Sequence, residues 1–288
     1  MKIEKVLLWE NREDVVLVSY VLEENKEIIG SDRRPAVVIS PGGGYLGYTE
    51  REGEAAALRF TAAGYQTFVL HYSLGKKAKF PCAVYDIGKA LCYLHENADR
   101  LSLDPKKIVV CGFSAGGNLS ASLGVLWDKP FFYEKLQVSP EWLRPAAMVL
   151  AYPVVDFALG QGCGESREEQ EMSRACIASV TGTDNPGEAD YEKINLLQYV
   201  SENTPPAFLF HLSGDPVVPV ENTLSFAGLL AKNHVPFELY VAEDKWHGVS
   251  MFEVKDTDAG FFRKDYAGWF DLAKAWLDKK IFSGEGKV

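Results

Sequence analysis

The feature of this sequence that most constrains its fold is the alternation of short apolar runs with stretches of helical spacing. Several of these runs are continuously apolar, which is typical of strands buried on both faces of a parallel sheet. The predicted strands are Val15–Leu22, Ala36–Ser40, Gln66–His71, Lys107–Cys111, Met148–Tyr152, Ala207–Leu212 and Phe237–Val241. The alternation favours an α/β fold in which a mostly parallel central sheet carries helices on both faces.

Between the strands, apolar residues recur at intervals of three and four, which is the spacing of a helix with one buried face. The predicted helices are Glu52–Ala63, Ala83–Asn97, Gly117–Trp127, Thr223–Asn233 and Gly268–Lys279. Residues 157–206 interrupt this pattern, because they are polar, rich in Gly and Glu, and much longer than an ordinary connection. We predict one α/β domain over residues 1–288 with a cap or lid insertion at 157–206; a solvated surface excursion with a helix or two is the alternative.

Charge and composition exclude several classes of function. The formal net charge is −10 and no basic stripe is present, which argues against a nucleic-acid partner. No apolar run is long enough to span a bilayer, and Met1–Glu10 lacks the apolar core of a signal peptide. The Cys and His residues show no metal-ligand spacing. We therefore expect a cytoplasmic protein without a membrane partner, a metal or a cofactor, and a homodimer stays open.

A candidate nucleophile lies between a predicted strand and a predicted helix. The segment Gly112-Phe113-Ser114-Ala115-Gly116 matches G-x-S-x-G, and it directly follows the apolar run Lys107–Cys111. A sharp strand-to-helix turn places such a serine in strained backbone geometry, and small residues two before and two after it relieve the crowding. The pattern predicts Ser114 as nucleophile and the Ala115 amide, at a helix start, as a donor to an oxyanion. The alternative is an ordinary helix start with Ser114 as its cap.

A glycine loop, Pro41-Gly42-Gly43-Gly44-Tyr45, follows the predicted strand Ala36–Ser40. Successive glycines let the backbone approach a substrate closely and direct free amides at it, so we predict Gly43 and Gly44 as further oxyanion donors. Gly42, Gly44 and Gly47 also satisfy the dinucleotide-binding pattern G-x-G-x-x-G. Dinucleotide binding requires an acidic residue at the end of the next strand, where this sequence has His71-Tyr72-Ser73, so the pattern does not favour a dinucleotide cofactor.

The candidate base and acid follow later strands. His247 comes after Phe237–Val241, and Asp215 follows Ala207–Leu212 through Ser213-Gly214, which gives the order serine, acid, histidine. Asp156 is the competing acid, because it follows the preceding strand. Asp244 is too near His247 in sequence to be the default choice, and we expect it to be solvated. Asp86 is predicted either to support the catalytic turn by a hydrogen bond or to be a simple charge at a helix start.

These residues together resemble the esterase/lipase branch of the α/β-hydrolase superfamily, and more narrowly its acetyl-xylan-esterase-like or "sugar hydrolase" group. The resemblance runs through Arg34-Pro35-Ala36, Pro41-Gly42-Gly43-Gly44-Tyr45, Gly112-Phe113-Ser114-Ala115-Gly116-Gly117, Thr204-Pro205-Pro206, Gly214 to Asn222 and His247-Gly248. Pro41 stands where many lipases have a histidine, and Ser213-Gly214 precedes the acid where the family usually has an acidic residue. The resemblance implies the α/β-hydrolase fold and a triad of Ser114, Asp215 and His247.

The resemblance also implies a substrate class, small-molecule acyl esters that are often acetyl groups on sugars. We therefore predict a serine carboxylesterase that hydrolyses short-chain esters of sugars or xylan fragments through an acyl-enzyme. A serine peptidase or a thioesterase of the same fold shares this machinery and stays open. A binding protein without catalysis on the same scaffold is the alternative from a different class.

Overall fold

A computed structural model describes residues 1–28, 30–161, 163–251 and 268–282. Within these residues, eight strands form one sheet in the order β1-β2-β4-β3-β5-β6-β7-β8. The strands are β1 (Lys2–Trp9), β2 (Arg12–Val21), β3 (Arg34–Ser40), β4 (Gln66–His71), β5 (Leu103–Phe113), β6 (Ala147–Ala151), β7 (Ala207–Leu212) and β8 (Phe237–Ala242). Strands β3 to β8 are parallel, and β1 and β2 are antiparallel additions at one edge. The predicted mostly parallel sheet is confirmed.

The helices cover both faces of this sheet, as the alternation predicted. They are α1 (Glu54–Ala62), α2 (Cys82–Glu96), α3 (Ser114–Leu126), α4 (Pro130–Leu136), α5 (Arg167–Thr181), α6 (Glu188–Ile194), α7 (Glu221–Lys232) and α8 (Trp269–Phe282). The prediction that the helix after the G-x-S-x-G segment starts at Gly117 was wrong, because α3 starts at Ser114 itself. Glycine residues lowered the helical signal of this first turn in the sequence.

The core lies in two layers, one on each face of the sheet. Along β3, Ala36 and Val38 belong to one layer, and Val37 and Ile39 belong to the other. This alternation follows from the two-residue period of a strand. Helices α2, α3 and α7 bury their apolar faces in the first layer, and α1 and α8 bury theirs in the second. Among the described residues, no helix combines the length and apolarity that a bilayer crossing requires.

The segment 157–206 lies between β6 and β7 and carries α5, α6 and a short 3₁₀ helix at Leu196–Tyr199. Ser166 caps the N-terminus of α5 by accepting a hydrogen bond from the Glu169 amide, while the Glu169 side chain accepts one from the Ser166 amide. Such a reciprocal pair stabilises a helix start. Helix α5 buries Ile177 and Val180 in the first core layer, so it packs against the main core.

Candidate active site

Ser114 lies at the turn between β5 and α3, where its backbone has a φ of 51°. This left-handed conformation is strained for a residue with a side chain. The turn is too crowded for larger neighbours: a Cβ on Gly112 would lie 2.2 Å from the Gly116 oxygen, and one on Gly116 would lie 2.0 Å from the Ser40 oxygen. Both glycines are therefore required for the turn that presents the serine hydroxyl.

The imidazole of His247 lies between the serine and a carboxylate. Its Nε2 is 2.8 Å from Oγ of Ser114, and its Nδ1 is 2.6 Å from Oδ2 of Asp215. Because the carboxylate can only accept, Nδ1 carries a proton and Nε2 is the nitrogen that can accept the serine proton. The structure thus brings together three residues that are 133 and 32 positions apart along the chain.

Parallel strand ends explain this convergence. Ser114, Asp215 and His247 follow β5, β7 and β8, and the glycine loop follows β3. All four strands are parallel members of the order β3-β5-β6-β7-β8. Their carboxyl ends therefore meet at one edge of the sheet, which is where open α/β sheets bind ligands.

Asp215 is fixed from two directions. Its Oδ1 accepts hydrogen bonds from the amides of Val217 and Val218, both at 2.9 Å, and leaves Oδ2 for His247. Burial raises the pKa of this carboxyl, but hydrogen bonds from His211 and His247 outweigh it and hold the pKa at about 2. Asp215 is therefore ionised throughout the neutral range and can stabilise an imidazolium.

His211 is a neighbour of this acid that the sequence analysis did not single out. It is fully buried on β7, and its Nε2 lies 2.9 Å from the Val218 carbonyl oxygen and 3.5 Å from Oδ2 of Asp215. Since a carbonyl only accepts, Nε2 carries a proton, and Nδ1 accepts from the Thr223 hydroxyl at 2.6 Å. The one signal in the sequence is a polar residue inside an apolar strand, four positions before Asp215.

The other acids have different partners. The Asp156 carboxylate accepts from the Ala158 amide at 2.9 Å and from Nδ2 of Asn195 at 3.2 Å. Asp244 is half-buried, and its Oδ1 accepts from the amide of its neighbour Lys245. Neither carboxylate makes a hydrogen bond to His247 among the contacts of the described residues.

Among the described residues, Asp86 makes no hydrogen bond to the turn at Ser114. It is fully buried within α2, where it accepts hydrogen bonds from Ser73, from Nε1 of Trp9 at 2.8 Å and from Arg12 at 3.4 Å. These bonds join α2 to the end of β4 and to the β1–β2 hairpin. The alternative that Asp86 bonds to the turn at Ser114 was therefore wrong, because the partners of its carboxylate are Ser73, Trp9 and Arg12. The alternative of a simple charge at a helix start was wrong too, because the side chain is fully buried and hydrogen-bonded.

The glycine loop has the geometry that close approach of backbone requires. Gly43 and Gly44 have φ values of 126° and 63°, and both line the same cavity as Ser114 and Ala115. A Cβ on Gly43 would lie 2.3 Å from the Gly47 oxygen. The Ala115 amide lies in the first turn of α3, where amides have no carbonyl partner within the helix.

Hydrogen bonds from buried side chains hold this loop in place. The Tyr72 hydroxyl donates to the Pro41 carbonyl at 2.6 Å, and the Tyr45 hydroxyl donates to Oδ1 of Asn118 at 2.7 Å. The Gly42 amide donates to Oε2 of Glu52 at 2.8 Å. A loop fixed in this way does not need to reorganise when charge develops beside it.

The segment that carries His247 is held by a short 3₁₀ helix, Glu50–Glu52, that follows the glycine loop. Nε of Arg51 donates to the Gly248 carbonyl at 2.9 Å, and the Ser250 hydroxyl donates to the Arg51 carbonyl at 2.6 Å. From the other side, Nε1 of the buried Trp269 donates to the Ser250 carbonyl at 3.0 Å. Sequence analysis gave no indication of these contacts, which join distant positions.

A cavity of about 240 Å³ opens at this constellation. Besides the residues already described, its lining includes apolar side chains from the β6–α5 region and from α5 itself: Val154, Phe157, Met172, Cys176 and Ile177. Burial raises the pKa of the Cys176 thiol to about 12, so this thiol stays protonated and packs as an apolar group. The site therefore combines a serine hydroxyl hydrogen-bonded to an imidazole, backbone amides and a small apolar recess.

The chain is similar in sequence and structure to several known proteins. The family model described as BD-FAE matches residues 26–230. An α/β hydrolase enzyme from a Medee basin deep-sea metagenome library is 31% identical, with 98% of each chain covered and a TM-score of 0.75. An acetyl ester-xyloside bifunctional hydrolase from Caldicellulosiruptor lactoaceticus is 30% identical, with 96% of each chain covered and a TM-score of 0.77. These solved structures confirm the predicted α/β-hydrolase fold.

The chain also matches curated protein sequences. Endo-1,4-beta-xylanase B of Butyrivibrio fibrisolvens is 31% identical over 226 residues, which are 76% of this chain and 33% of that protein. The chain spans between 33% and 47% of the length of the first curated relatives that it matches.

Proposed function

The chain belongs to the BD-FAE family of α/β hydrolases, and on that premise we propose that it is a serine carboxylesterase acting on short-chain acyl esters, acetyl esters above all. Sugars or xylan fragments are the proposed alcohols. The observation that carries the proposal is the hydrogen-bonded chain from Asp215 through His247 to Ser114, with contacts of 2.6 and 2.8 Å. A hydroxyl in this setting is activated as a nucleophile by the adjacent base.

In the proposed reaction, Oγ of Ser114 attacks the ester carbonyl carbon while Nε2 of His247 takes the hydroxyl proton. The Asp215 carboxylate keeps the proton on Nδ1 and stabilises the imidazolium that forms. The carbonyl oxygen becomes an oxyanion beside the amides of Gly43, Gly44 and Ala115. Donors of this kind contribute most when they are fixed before the reaction begins, and the removal of one costs about 10²- to 10³-fold in kcat.

The intermediate then collapses. The imidazolium gives its proton to the leaving alcohol, and the acyl group stays on Ser114. Water takes the place of the alcohol, and its oxygen attacks the acyl carbon while Nε2 of His247 accepts its proton. The second tetrahedral intermediate then breaks the bond between the acyl carbon and Oγ of Ser114, the imidazolium returns its proton to Oγ, and the free acid leaves. Each step uses side chains and amides of this chain, so the proposal includes no cofactor.

The cavity supports a small acyl group. Its volume of about 240 Å³ lies below the range of roughly 300–1,000 Å³ that is typical of pockets for drug-sized ligands. Its apolar wall on α5 favours the methyl or short alkyl part of an acyl chain over a charged group. The names of two relatives, an acetyl ester-xyloside hydrolase and a xylanase, support acetylated xylan fragments as substrates.

The proposal is tested with a panel of acetyl, butyryl and octanoyl esters of aryl and sugar alcohols, together with an aryl amide and a thioester of the same acyl group. We expect the highest kcat/KM for acetyl esters and a loss of at least about tenfold at octanoyl, because each unaccommodated methylene costs free energy. Faster turnover of the thioester or the amide than of the matched oxygen ester would replace the esterase proposal by a thioesterase or a peptidase. A preference for octanoyl would contradict the short-chain assignment.

A further inference from the structure

Glu52 is a buried carboxylate behind the proposed catalytic residues. The residue is 1% exposed, and both of its carboxyl oxygens accept hydrogen bonds. Oε2 accepts from the Gly42 amide at 2.8 Å, and Oε1 accepts from the Tyr152 hydroxyl at 2.7 Å. Two donors on two oxygens match the ionised form of the side chain, which only accepts.

The direction of these hydrogen bonds follows from the partner beyond Tyr152. The Ser250 amide, which can only donate, lies 2.8 Å from the Tyr152 hydroxyl oxygen. The tyrosine oxygen therefore accepts from Ser250, and its own proton is directed to Glu52. The result is a single buried chain of hydrogen bonds from Ser250 through Tyr152 to Glu52 and on to Gly42.

This chain joins the two halves of the proposed catalytic site. Gly42 directly precedes the proposed oxyanion donors, and Ser250 lies three positions after His247. The Tyr152 ring also packs edge to face against the His247 ring, with centroids 5.1 Å apart. Tyr152 itself has a φ of 42°, a strained conformation that the surrounding contacts maintain.

Stability alone gives a weak reason for a carboxylate at this position. Burial raises the pKa of Glu52, and the hydrogen bonds from Tyr152 and Gly42 offset that effect in part. A buried charge carries a desolvation cost that apolar residues of similar volume avoid, so well-packed apolar replacements are often neutral or stabilising. What an apolar residue cannot do is accept hydrogen bonds from the glycine loop and from Tyr152 at the same time.

We propose that Glu52 is a positioning residue that fixes the position of the oxyanion donors relative to the His247 imidazole through its hydrogen bonds to Gly42 and Tyr152. The inference rests on the proposed esterase function. A residue that aligns groups used in the transition state affects kcat, whereas one that shapes the substrate pocket affects KM. A misplacement of about 1 Å in such groups can cost about 10²-fold in rate.

The test compares Glu52→Gln and Tyr152→Phe with Glu50→Gln, an exposed acid in the same 3₁₀ helix. Glu52→Gln keeps one acceptor but places an NH₂ group against a donor, and Tyr152→Phe keeps the ring while removing the hydroxyl. For an aryl acetate, we expect each variant at Glu52 or Tyr152 to lose about 10- to 100-fold in kcat with KM within about twofold. The control is expected to match the wild type.

Two further readouts separate positioning from mere loss of folded protein. Titration with a fluorophosphonate counts competent Ser114 sites, so kcat is expressed per labelled site. The Ki of an aryl trifluoromethyl ketone, which forms an oxyanion on the serine, should rise by the same factor as kcat falls. The double variant should lose little more than either single variant, because both break one chain of hydrogen bonds.

Unchanged kcat per labelled site in both single variants would overturn the inference, as would a rise in KM that accounts for the whole loss of kcat/KM. If Glu52→Gln does not fold, Tyr152→Phe decides the matter alone, since it leaves the Glu52–Gly42 bond in place. These outcomes differ from failure of the esterase proposal itself, in which wild-type protein would turn over no ester or carry the label on another residue.

Discussion

Replacement of Asp215 by Asn should disable the proposed catalysis without removing any side-chain volume. Oδ1 of Asp215 accepts from two backbone amides at 2.9 Å, so the carbonyl oxygen of Asn must take that position. Its NH₂ group then faces Nδ1 of His247, where the carboxylate oxygen lies at 2.6 Å in the wild type. Because an NH₂ group donates, the imidazole has to accept at Nδ1 and carry its proton on Nε2.

This change of tautomer removes the base. A protonated Nε2 cannot accept the proton of Ser114, even at the wild-type distance of 2.8 Å. In a serine protease with the same three groups, the corresponding change lowers kcat by about 10⁴-fold, which is about 5.4 kcal/mol in activation free energy. We expect a loss of that order for an aryl acetate, with the oxyanion donors still in place to support the residual rate.

The matched control is Asp156→Asn, which changes the competing acid in the same way. Asp156 accepts from Ala158 and Asn195, so we expect kcat within a few-fold of the wild type. Steady-state kinetics on both variants, with active-site titration, gives the ranking. A larger loss for Asp156→Asn than for Asp215→Asn would refute the reasoning and transfer the orienting role to Asp156.

Three further variants or conditions test other parts of the account. Gly116→Ala places a methyl group 2.0 Å from the Ser40 oxygen and should lower the free energy of unfolding, measured in urea, by about 1–3 kcal/mol. Gly228→Ala in α7, with open space around it, should raise this free energy by about 0.5–1 kcal/mol. Ile177→Ala widens the cavity at its α5 wall and should raise the ratio of kcat/KM for octanoyl over acetyl esters by about tenfold. An unchanged ratio would mean that the acyl group binds away from Ile177. The folded pKa of Asp215 is about 2, below its ordinary value of 3.8, so the ionised carboxylate contributes about 2 kcal/mol to the free energy of unfolding. This contribution is fully present above the unfolded pKa and is lost as pH falls through about 2. The difference in free energy of unfolding between the wild type and Asp215→Asn should therefore shrink by that amount over this pH range.

The buried strands were predictable from sequence, and the edge strand β1 was not. Strands β3 to β7 lie mostly in the interior, so their side chains form apolar runs with a clear signal. Strand β1 is paired on one side only, and Ile3 and Leu7 on it are 55% and 53% exposed. Its apolar run, Val6–Trp9, is only four residues long and is exposed or half-buried, so its signal is weak, and the sequence analysis missed the strand.

Some residues of the candidate site were predictable from sequence, and others were not. Ser114, Asp215 and His247 could be singled out because each follows a recognisable strand in an order typical of the fold. Glu52 and Tyr152 could not be singled out, because what distinguishes them is a hydrogen bond between positions 100 residues apart. Nothing local in the sequence distinguishes a buried glutamate that accepts from a loop amide from an ordinary acid at a helix start.

The most direct test of the account is covalent labelling of the nucleophile. Wild-type protein is incubated with a fluorophosphonate, digested, and analysed by mass spectrometry beside the Ser114→Ala variant, while turnover of an aryl acetate is followed in the same samples. The account predicts one adduct on Ser114, parallel loss of activity as it forms, and a loss of about 10⁴-fold or more in the variant. Label on a different residue, or near-normal turnover by Ser114→Ala, would contradict it.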